Sequence, residues 1–439
     1  MGAKRLDLVT PDAWSGRGEA VGPASVGAGP PRVRVFGGIP GETARVERMG
    51  GGAHEVYAVW RESAVPAAIR VTPPCPRYLA CGGCPWMHVD PAAAREARRG
   101  LVVRALAGVP LGPDGVAPVV PCPDGDAGYR TVVKLMARDT PQGVRFGGYG
   151  RHSHDVVSVS DCLALDPALR PFTRLDPIPA PVGMLRALVV RASRATGATL
   201  ATLIVRHECP EAVSAARRLP ADGVHLHVHP HPGDALFTAT GATRHVRGRA
   251  TLEERFGALR LTVGPTDFYQ TNPATAARLW EDLPLPRDRL LDLYGGVGAV
   301  ALALAVRRGA APLQVLGVEE SPAAVARAAA NFAANRAVLP GVTAEFRAGR
   351  MVDFVAPMGW AGAMVVVNPP RRGLELGVAE RLVALAPAPL VYVSCHPEAL
   401  GRDLARLVAL GMRVERVTPY DMFPHTPHVE TVVVMRSPG

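Results

Sequence analysis

The C-terminal part of the chain alternates short apolar runs with longer segments whose apolar residues recur at helical spacing. Such apolar runs predict buried strands, and helices fill the gaps among the first five of them. Strand–helix–strand units form a parallel sheet with helices on both faces. The last two runs are joined only by the short link TPYDMFPHTPHVE, so we expect these two strands to pair antiparallel. The seven strands are predicted at Leu290–Tyr294, Gln314–Glu319, Thr343–Phe346, Met364–Asn368, Leu390–Cys395, Arg413–Tyr420 and Val429–Met435.

The first 69 residues have a different pattern, rich in glycine and valine and without helical spacing. Short alternating stretches separated by turns such as GGIPGE predict a small antiparallel β-barrel, and the PPCP run at 73–76 closes it off. A helix is predicted after the barrel, with Asp90 as its cap and Pro91 in its first turn. We therefore expect three domains, at residues 1–69, 70–258 and 259–439. The strand-like segments before the parallel sheet are Arg32–Phe36, Thr43–Arg48, Glu55–Arg61, Arg130–Ala137 and Ala198–Arg206.

Composition adds that this is a globular chain and permits an anionic partner. Its 439 residues are 48% apolar and 20% charged, which excludes a disordered chain and allows two to four domains. The formal net charge of +10 favours a polyanion, either nucleic acid or an acidic membrane. Nearly all of the basic charge is arginine, since Lys4 and Lys134 are the only lysines, a pattern that a GC-rich genome also produces.

The chain lacks the signals of a membrane or secreted protein. No apolar run approaches the roughly 20 residues that cross a bilayer. The first ten residues, MGAKRLDLVT, contain no apolar core of a signal peptide. We therefore expect a cytoplasmic protein with reduced thiols, in which the seven cysteines need a reason other than disulfides.

A glycine-rich loop follows the first predicted strand of the sheet and opens a helix, in the sequence LLDLYGGVGAV. Gly295, Gly296 and Gly298 allow a tight turn and a close approach of the backbone to a ligand. Glu319 ends the next strand, where a carboxylate can hold ribose hydroxyls. The pattern predicts a nucleotide-type site. A dinucleotide-binding loop is the alternative, but the spacing is not GxGxxG and no second mononucleotide half follows.

A rigid Asn-Pro-Pro turn follows the fourth predicted strand, at Asn368. Ligands of open α/β sheets sit at the carboxyl ends of the strands, so this turn can aim a side-chain amide or carbonyl at a substrate. The same turn suits N-methyltransferases acting on adenine or glutamine. Those enzymes normally have an aromatic residue next, and here the next residue is Arg371.

A cysteine and a glutamate are predicted at the same edge of the sheet. Cys395 follows the fifth strand and precedes a helix that starts at Pro397, whose N-terminus would favour the thiolate. A thiolate nucleophile is useful for an inert acceptor carbon such as uracil C5, because addition at C6 converts the ring into an enolate. The C5 proton must then leave, and Glu430 at the start of the last strand is the candidate base.

Three cysteines lie within ten residues, in the C-x5-C-x2-C segment CPRYLACGGC, and Cys162 lies downstream in SDCLAL. Four thiolates suit either zinc or a [4Fe–4S] cluster, and the spacing does not decide between them. Cys122 and Cys209 are interpreted as incidental. The clustered cysteines are Cys75, Cys81 and Cys84.

Histidines alternate with apolar residues in HLHVHPHP, at positions 225, 227 and 229. The alternation predicts one face of a half-exposed strand. A metal site is the alternative interpretation, although no acidic or cysteine partner is spaced for it.

Taken together, the chain resembles the uracil-C5 RNA methyltransferases, which use S-adenosylmethionine and have the seven-stranded, doubly wound sheet of class I methyltransferases. The N-terminal segment resembles, less distinctively, the OB-like RNA-binding TRAM barrel of many members. The motifs that carry the resemblance run in family order from about residue 75 to 435. They are CPRYLACGGC with SDC, TDFYQTNP, LLDLYGGVG, VVVNPPRRG, YVSCHP and DMFPHTPHVET.

The resemblance implies a role for each matching position. Cys395 matches the nucleophile and Glu430 the base, while Asn368 stands where many members have aspartate. The four cysteines would hold a [4Fe–4S] cluster, which we expect to be structural, and Arg371 and Arg372 would hold RNA phosphates. The implied cofactor contacts are Gln270, Tyr294, Gly295, Gly296, Gly298, Glu319 and Asn368, and the implied cluster ligands are Cys75, Cys81, Cys84 and Cys162.

The motifs NPPRRG and DMFPHTPHVE resemble those of the family branch that methylates 23S ribosomal RNA. We therefore expect 23S ribosomal RNA as the substrate, with the target uridine flipped out of the stack. No obligate protein partner is evident. Three alternatives remain: the same reaction on the T-loop of tRNA, a non-catalytic RNA-binding factor, and an N-methyltransferase acting through the Asn-Pro-Pro turn.

Overall fold

The computed structural model describes residues 6–23, 32–52, 54–231, 235–237 and 241–437. Within these ranges the chain forms, in order along the sequence, a six-stranded sheet, a seven-stranded sheet, a two-stranded hairpin and a second seven-stranded sheet. Lys4 and parts of the predicted N-terminal barrel, residues 1–5, 24–31 and 53, lie outside the described residues. None of the described helices is long and apolar enough to cross a membrane.

The N-terminal sheet has the strand order β1-β5-β6-β4-β3-β2, and valines of alternate positions form its core. Its pairs are antiparallel except that β4 and β6 are parallel, so the all-antiparallel prediction was wrong. The reason is that β5 and β6 form a hairpin, and two chain reversals return β6 to the direction of β4. Its strands are β1 (Leu6–Val9), β2 (Ala13–Trp14), β3 (Ala20–Gly22), β4 (Arg32–Phe36), β5 (Thr43–Gly51) and β6 (Glu55–Val65).

The middle of the chain begins with the cysteine-rich segment and helix α1 (Pro91–Ala105). Asp90 caps this helix as predicted, because its carboxylate accepts the N–H groups of Ala92 and Ala93. A seven-stranded sheet follows with the order β13-β12-β11-β10-β7-β8-β9. Its elements are β7 (Val132–Thr140), β8 (Gly143–Tyr149), β9 (Val156–Val157), β10 (Leu185–Ala192), β11 (Thr199–Val205), α2 (Pro210–Arg217), β12 (Gly223–Val228) and β13 (Thr243–Gly248).

The histidine strand β12 is buried on both faces, so the prediction of a half-exposed strand was wrong. Val224 and Leu226 pack into the core on one face. On the other, Phe237 contacts the ring of His227, and the cross-strand His245 contacts that of His225. Burial lowers the pKa of His225 to about 4, so these rings are neutral side chains of a covered sheet face.

The C-terminal sheet has the order β18-β17-β16-β19-β20-β22-β21 and confirms the predicted seven strands. Five strands are parallel, and β22 inserts antiparallel between β20 and β21, as predicted. Hairpin β14–β15 and helix α3 precede it. The elements are β14 (Leu252–Phe256), β15 (Leu259–Val263), α3 (Pro273–Asp282), β16 (Arg289–Leu293), α4 (Ala299–Arg308), β17 (Leu313–Glu319), α5 (Pro322–Ala334), β18 (Val342–Ala348), β19 (Met364–Val367), α6 (Val378–Ala384), β20 (Leu390–Ser394), α7 (Pro397–Ala409), β21 (Arg413–Tyr420) and β22 (Glu430–Arg436).

Residues 91–120 pack on the C-terminal sheet, although they precede the middle sheet in sequence. Helix α1 contacts α7, and Gly401 of α7 lies so close to Ala105 O that a Cβ would come within 2.2 Å of it. Val116 and Val120 then form bridges to strand β21. The predicted boundary between residues 258 and 259 falls inside hairpin β14–β15, and the three-domain division stays a prediction.

Candidate active site

The strand directions bring the predicted nucleophile and base together. Parallel strands β16, β17, β19 and β20 all end at one edge of the sheet, and the antiparallel β22 begins there. Ser394 of β20 pairs with Thr431 of β22. The next residues outward along this register are Cys395 and Glu430, so they are neighbours at the edge where ligands of open α/β sheets bind.

Glu430 is a buried carboxyl group at this edge, only 3% exposed. Burial raises its pKa to about 7, against the opposing influence of the Arg371 guanidinium. A carboxyl group with a pKa near neutral can accept a proton and return it to solvent at physiological pH, which is what a general base requires.

Cys395 is half-buried, and its surroundings correct the expectation of a thiolate favoured by the α7 N-terminus. Burial first, and then the charge of Glu430, raise the pKa of the thiol. At the N-terminus of α7, the N–H of Ala399 is already hydrogen-bonded to the ring of His396, which caps the helix (3.3 Å). The thiol therefore has to lose its proton with help from other groups at the site.

Arg371, which was predicted only as a phosphate ligand, is a charged group in contact with this thiol. Its guanidinium hydrogen-bonds to Cys395, which opposes the rise of the thiol pKa, and its charge reaches Glu430. Its Nη2 also donates to the ring of His428, 3.2 Å from Nδ1. Burial lowers the pKa of His428 to about 4, so the neutral ring is able to accept this bond. The position of Arg371 directly after the Asn-Pro-Pro turn did not indicate that its side chain would contact Cys395 and His428.

The glycine loop lies at the same edge, and its backbone has the positive φ values that a tight turn through glycines requires. Tyr294, Gly296 and Gly298 all adopt positive φ values, of 61°, 54° and 79°. Glu319 accepts the N–H groups of Gly296 (3.1 Å) and Ser321 (2.9 Å), which fixes its carboxylate against the loop. The loop and the acid therefore form one rigid unit.

Asp292 is a functional candidate that the sequence reasoning missed, although it lies inside the LLDLYGGVG motif. Its carboxyl group is buried directly below the loop, where a Cβ on Gly295 would lie 3.2 Å from Oδ2. Burial raises its pKa to about 7, with the nearby Glu319 adding to the rise. Asp292 Oδ2 and the buried hydroxyl of Tyr294 both lack a hydrogen-bond partner within the described residues. Unpaired buried polar atoms beside a glycine loop fit a polar ligand bound there.

Two further predicted positions lie beside the loop. The segment carrying Gln270 passes over it, since Phe268 O is 3.9 Å from where a Cβ of Gly296 would lie. Asp267 anchors this segment by accepting from Gly264 N (2.6 Å) and Arg327 Nε (3.2 Å). On the other side, Asn368 follows strand β19, which pairs with β16 directly below the loop.

The four clustered cysteines line a single cavity of about 410 Å³. Burial, followed by the other three cysteines, raises the pKa of the Cys84 thiol to about 12. Across the described ranges, no three His, Cys, Asp or Glu side chains form a group that could hold a metal ion. The donor set of four thiols around one cavity nevertheless fits a cluster, whose ligands are distributed around several irons.

Comparisons with known proteins assign the chain to a family. The sequence model of the family described as tRNA (uracil-5-)-methyltransferase matches residues 280–437. An uncharacterised RNA methyltransferase of Thermosynechococcus vestitus is 31% identical over 421 residues, which are 90% of this chain and 91% of the relative. The 23S rRNA (uracil(1939)-C(5))-methyltransferase RlmD of Halomonas elongata is 33% identical over 434 residues, 92% of this chain and 85% of the relative. The chain belongs to the uracil-C5 RNA methyltransferases.

Membership confirms the resemblance noted in the sequence and makes the protein an enzyme that uses S-adenosylmethionine. A solved structure with the same fold is that of the Pyrococcus abyssi tRNA (uracil-54, C5)-methyltransferase in complex with S-adenosyl-L-homocysteine. It is 24% identical, covers 98% of this chain and all of its own, and superposes with a TM-score of 0.73. The likeness supports the mixed α/β methyltransferase fold.

This uracil-C5 RNA methyltransferase has a basic groove that leads to Cys395. A cavity of about 640 Å³ lies between the N-terminal sheet and the start of α7, and Trp14, Cys395 and His428 are on its walls. Glu19 and Glu55 partly neutralise Arg34, but Arg17 and Arg32 are exposed. The arginines that line the groove are Arg17, Arg32, Arg34, Arg104 and Arg371.

Proposed function

We propose that this methyltransferase converts a uridine of 23S rRNA into 5-methyluridine, with Cys395 as nucleophile and Glu430 as base. The observation that carries the proposal is the register of two adjacent strands. Cys395 directly follows the end of β20, and Glu430 is the first residue of β22 beside it. Arg371 hydrogen-bonds to the thiol, and its charge also acts on Glu430. Uracil-C5 methylation needs both a nucleophile for C6 and a base for the C5 proton, on adjacent sites.

In the first step the Cys395 thiol passes its proton to solvent in the groove that it lines, and Sγ bonds to C6 of the uracil ring. The electron pair of the 5,6 double bond moves towards C5 and O4, which makes C5 nucleophilic. The Arg371 guanidinium favours this step because it stabilises the thiolate by a charge-assisted hydrogen bond. Because burial and Glu430 both disfavour the thiolate, Arg371 is the group that makes addition feasible near neutral pH.

S-adenosylmethionine would supply an electrophilic methyl group when bound: the electron pair at C5 of the adduct would form the new carbon–carbon bond, and the methyl–sulfur bond would break to leave S-adenosylhomocysteine. Residues of the glycine loop would hold the cofactor, with Glu319 on the ribose hydroxyls and the unpaired Tyr294 hydroxyl available to a polar group of the ligand. Gln270 and Asn368 complete this site from the two flanking segments. The full set proposed for the cofactor is Gln270, Tyr294, Gly295, Gly296, Gly298, Glu319 and Asn368.

In the last step Glu430 removes the proton from C5. The C5–H electrons restore the 5,6 double bond, the C6–Sγ bond breaks, and Cys395 leaves as the thiolate. The buried position of Glu430 and its pKa of about 7 suit this role. A Glu430 variant without a base should therefore stop after methylation, with the RNA still attached to Cys395.

The 23S rRNA target is supported by the similarity to RlmD of Halomonas elongata, a 23S rRNA (uracil(1939)-C(5))-methyltransferase. The basic groove supports an RNA strand that passes between the N-terminal sheet and the active site, since phosphates supply much of the affinity of such complexes. We assign residues 1–69 to an OB-like, TRAM-like RNA-binding domain and residues 259–439 to catalysis.

Residues 70–258 would contain a structural [4Fe–4S] cluster held by the four cysteines of the common cavity, Cys75, Cys81, Cys84 and Cys162. Support comes from the cavity that the four cysteines share. Zinc is the alternative, and it would be colourless, whereas the cluster absorbs visible light.

The test is the fate of the RNA adduct in two variants. Glu430→Gln should accumulate a protein–RNA adduct that survives denaturing gels, whereas Cys395→Ala should give neither adduct nor product. Matched controls are Glu415→Gln, an exposed glutamate on β21, and Cys209→Ala, a cysteine outside the site. Full turnover by Cys395→Ala would refute the nucleophile and favour N-methylation.

Mass-spectrometric mapping of 5-methyluridine decides the substrate. In a deletion strain, loss of the nucleoside from 23S rRNA supports the proposal. Its loss from the T-loop of tRNA alone would replace the proposed target by tRNA, and no loss from either RNA would indicate a non-catalytic factor.

A further inference from the structure

The loop between β21 and β22, residues 421–429, delivers Glu430 to the active site, yet other parts of the chain hold it. Five of its carbonyl groups accept hydrogen bonds from donors outside the C-terminal sheet. The donors are Thr275 Oγ1 to Asp421 O (3.4 Å), Asn272 Nδ2 to Met422 O (3.1 Å), Tyr129 OH to Pro424 O (3.1 Å), Trp86 N to His425 O (2.9 Å) and Arg98 Nε to Thr426 O (2.8 Å).

The loop has few bonds of its own that could define its shape. Thr426 donates to Phe423 O through both its N–H (3.2 Å) and its hydroxyl (2.7 Å), and His428 N donates to the Thr426 hydroxyl (3.2 Å). His425 is held at φ 64°, which an L-residue rarely adopts without support. The path of the chain into Glu430 therefore depends on the external donors.

Tyr129 is the donor with the most direct connection to the cysteine cavity. Its ring is 1% exposed and packs in one apolar cluster with Cys84, Cys122 and Cys162. The hydroxyl contacts Pro424 O, six residues before Glu430. The side chain thus connects Cys84 and Cys162, which line the cavity, to the loop that carries the base.

We infer that Tyr129 is a positioning residue for Glu430, whose hydroxyl fixes residues 421–429 from the wall of the cysteine cavity so that the base meets the C5 proton. The inference rests on the proposed role of Glu430. Tyr129 is only 1% exposed, so its hydroxyl acts through the loop. It therefore acts on the last step of the reaction, after Sγ has bonded to C6 and C5 has taken the methyl group.

The test compares two tyrosine variants that each lose one buried hydroxyl. Tyr129→Phe keeps the packed ring and removes only the bond to Pro424 O. Tyr78→Phe is the matched control, since Tyr78 lines the same cavity but its hydroxyl bonds to His88 Nδ1 (2.5 Å) and not to the loop. The full-length proteins are assayed with 23S rRNA transcript and S-adenosylmethionine, after iron content has been matched.

Single-turnover experiments measure adduct formation and adduct decay separately. Tyr129→Phe should slow decay roughly five- to ten-fold, the effect of one lost hydrogen bond, and leave adduct formation unchanged. Tyr78→Phe should match the wild type in both rates. If Tyr129→Phe only destabilised the fold, less of the protein would be active. The amplitudes of adduct formation and of adduct decay would then fall together, and the steady-state fraction of protein in the adduct would not rise.

The Glu430→Gln variant distinguishes a failure of the positioning role of Tyr129 from a failure of the proposed base. If Glu430→Gln accumulates adduct but Tyr129→Phe decays at the wild-type rate, the positioning role is refuted while the base stands. If Glu430→Gln accumulates no adduct, the proposed base itself fails. In the double variant, Tyr129→Phe should add nothing to the decay rate of Glu430→Gln, because the two changes act through one group.

Discussion

Burial of Glu430 makes a prediction about stability that can be tested without RNA. The pKa of this carboxyl group rises from 4.5 to about 7 in the folded protein. Below pH 4.5 the group is protonated in both the folded and the unfolded chain and costs nothing. Between pH 4.5 and 7 the unfolded chain loses its proton first, so stability falls as pH rises. Above pH 7 the full penalty remains, about 3 kcal/mol for this rise in pKa.

Glu430→Gln replaces the carboxylate by a neutral group of the same shape. It should therefore unfold at the same temperature as the wild type near pH 4.5 and several degrees higher at pH 8. Differential scanning calorimetry over this range measures the gap, with Glu415→Gln as control for the loss of one exposed negative charge. A variant that gains nothing at pH 8, or gains equally at every pH, would show that Glu430 is not a destabilised buried carboxylate.

Three further predictions follow from other contacts. Arg98→Met should destabilise the protein by about 3–5 kcal/mol in urea unfolding, because Asp421, 2% exposed, loses its buried partner at 2.9 Å; the double variant with Asp421→Asn should recover much of this. Gly298→Ala should weaken binding of S-adenosylhomocysteine in calorimetry more than Gly309→Ala does, because both have φ near 78° but only Gly298 has neighbours within 3.4 Å of a Cβ. Cys84→Ser should abolish visible absorbance of anaerobically purified protein if a cluster is bound, and a colourless wild type would contradict the cluster.

The sequence was sufficient for the C-terminal sheet because its strands are continuous apolar runs bounded by glycine, proline and polar residues. All seven were predicted within a few residues of their observed ends. The antiparallel last pair followed from the short link, and with it the placement of Cys395 and Glu430 at one edge. Topology of this kind depends on periodicity and connection length, which are local properties of the chain.

The corrections concern side-chain environments, which local patterns do not encode. The apolar cover on the histidine strand comes from Phe237 on a segment beyond the strand, so alternation alone suggested exposure. The helix N-terminus next to Cys395 is used by the ring of His396, and the group that hydrogen-bonds to the thiol is Arg371, which is 24 positions earlier. Asp292 was passed over because an acidic residue within an apolar strand has no signature of its own until its burial is known.

The carbonyl groups of residues 421–426 have one more consequence, for the modularity of the chain. The family match begins at residue 280, but the groups that donate to five of these carbonyls, all except that of Phe423, come from positions 86, 98, 129, 272 and 275. A truncated gene product starting at the sheet would leave these oxygens bare and expose the apolar face that helix α1 covers. A chimaeric protein that joins residues 280–437 to a different RNA-binding domain would therefore also need these upstream segments.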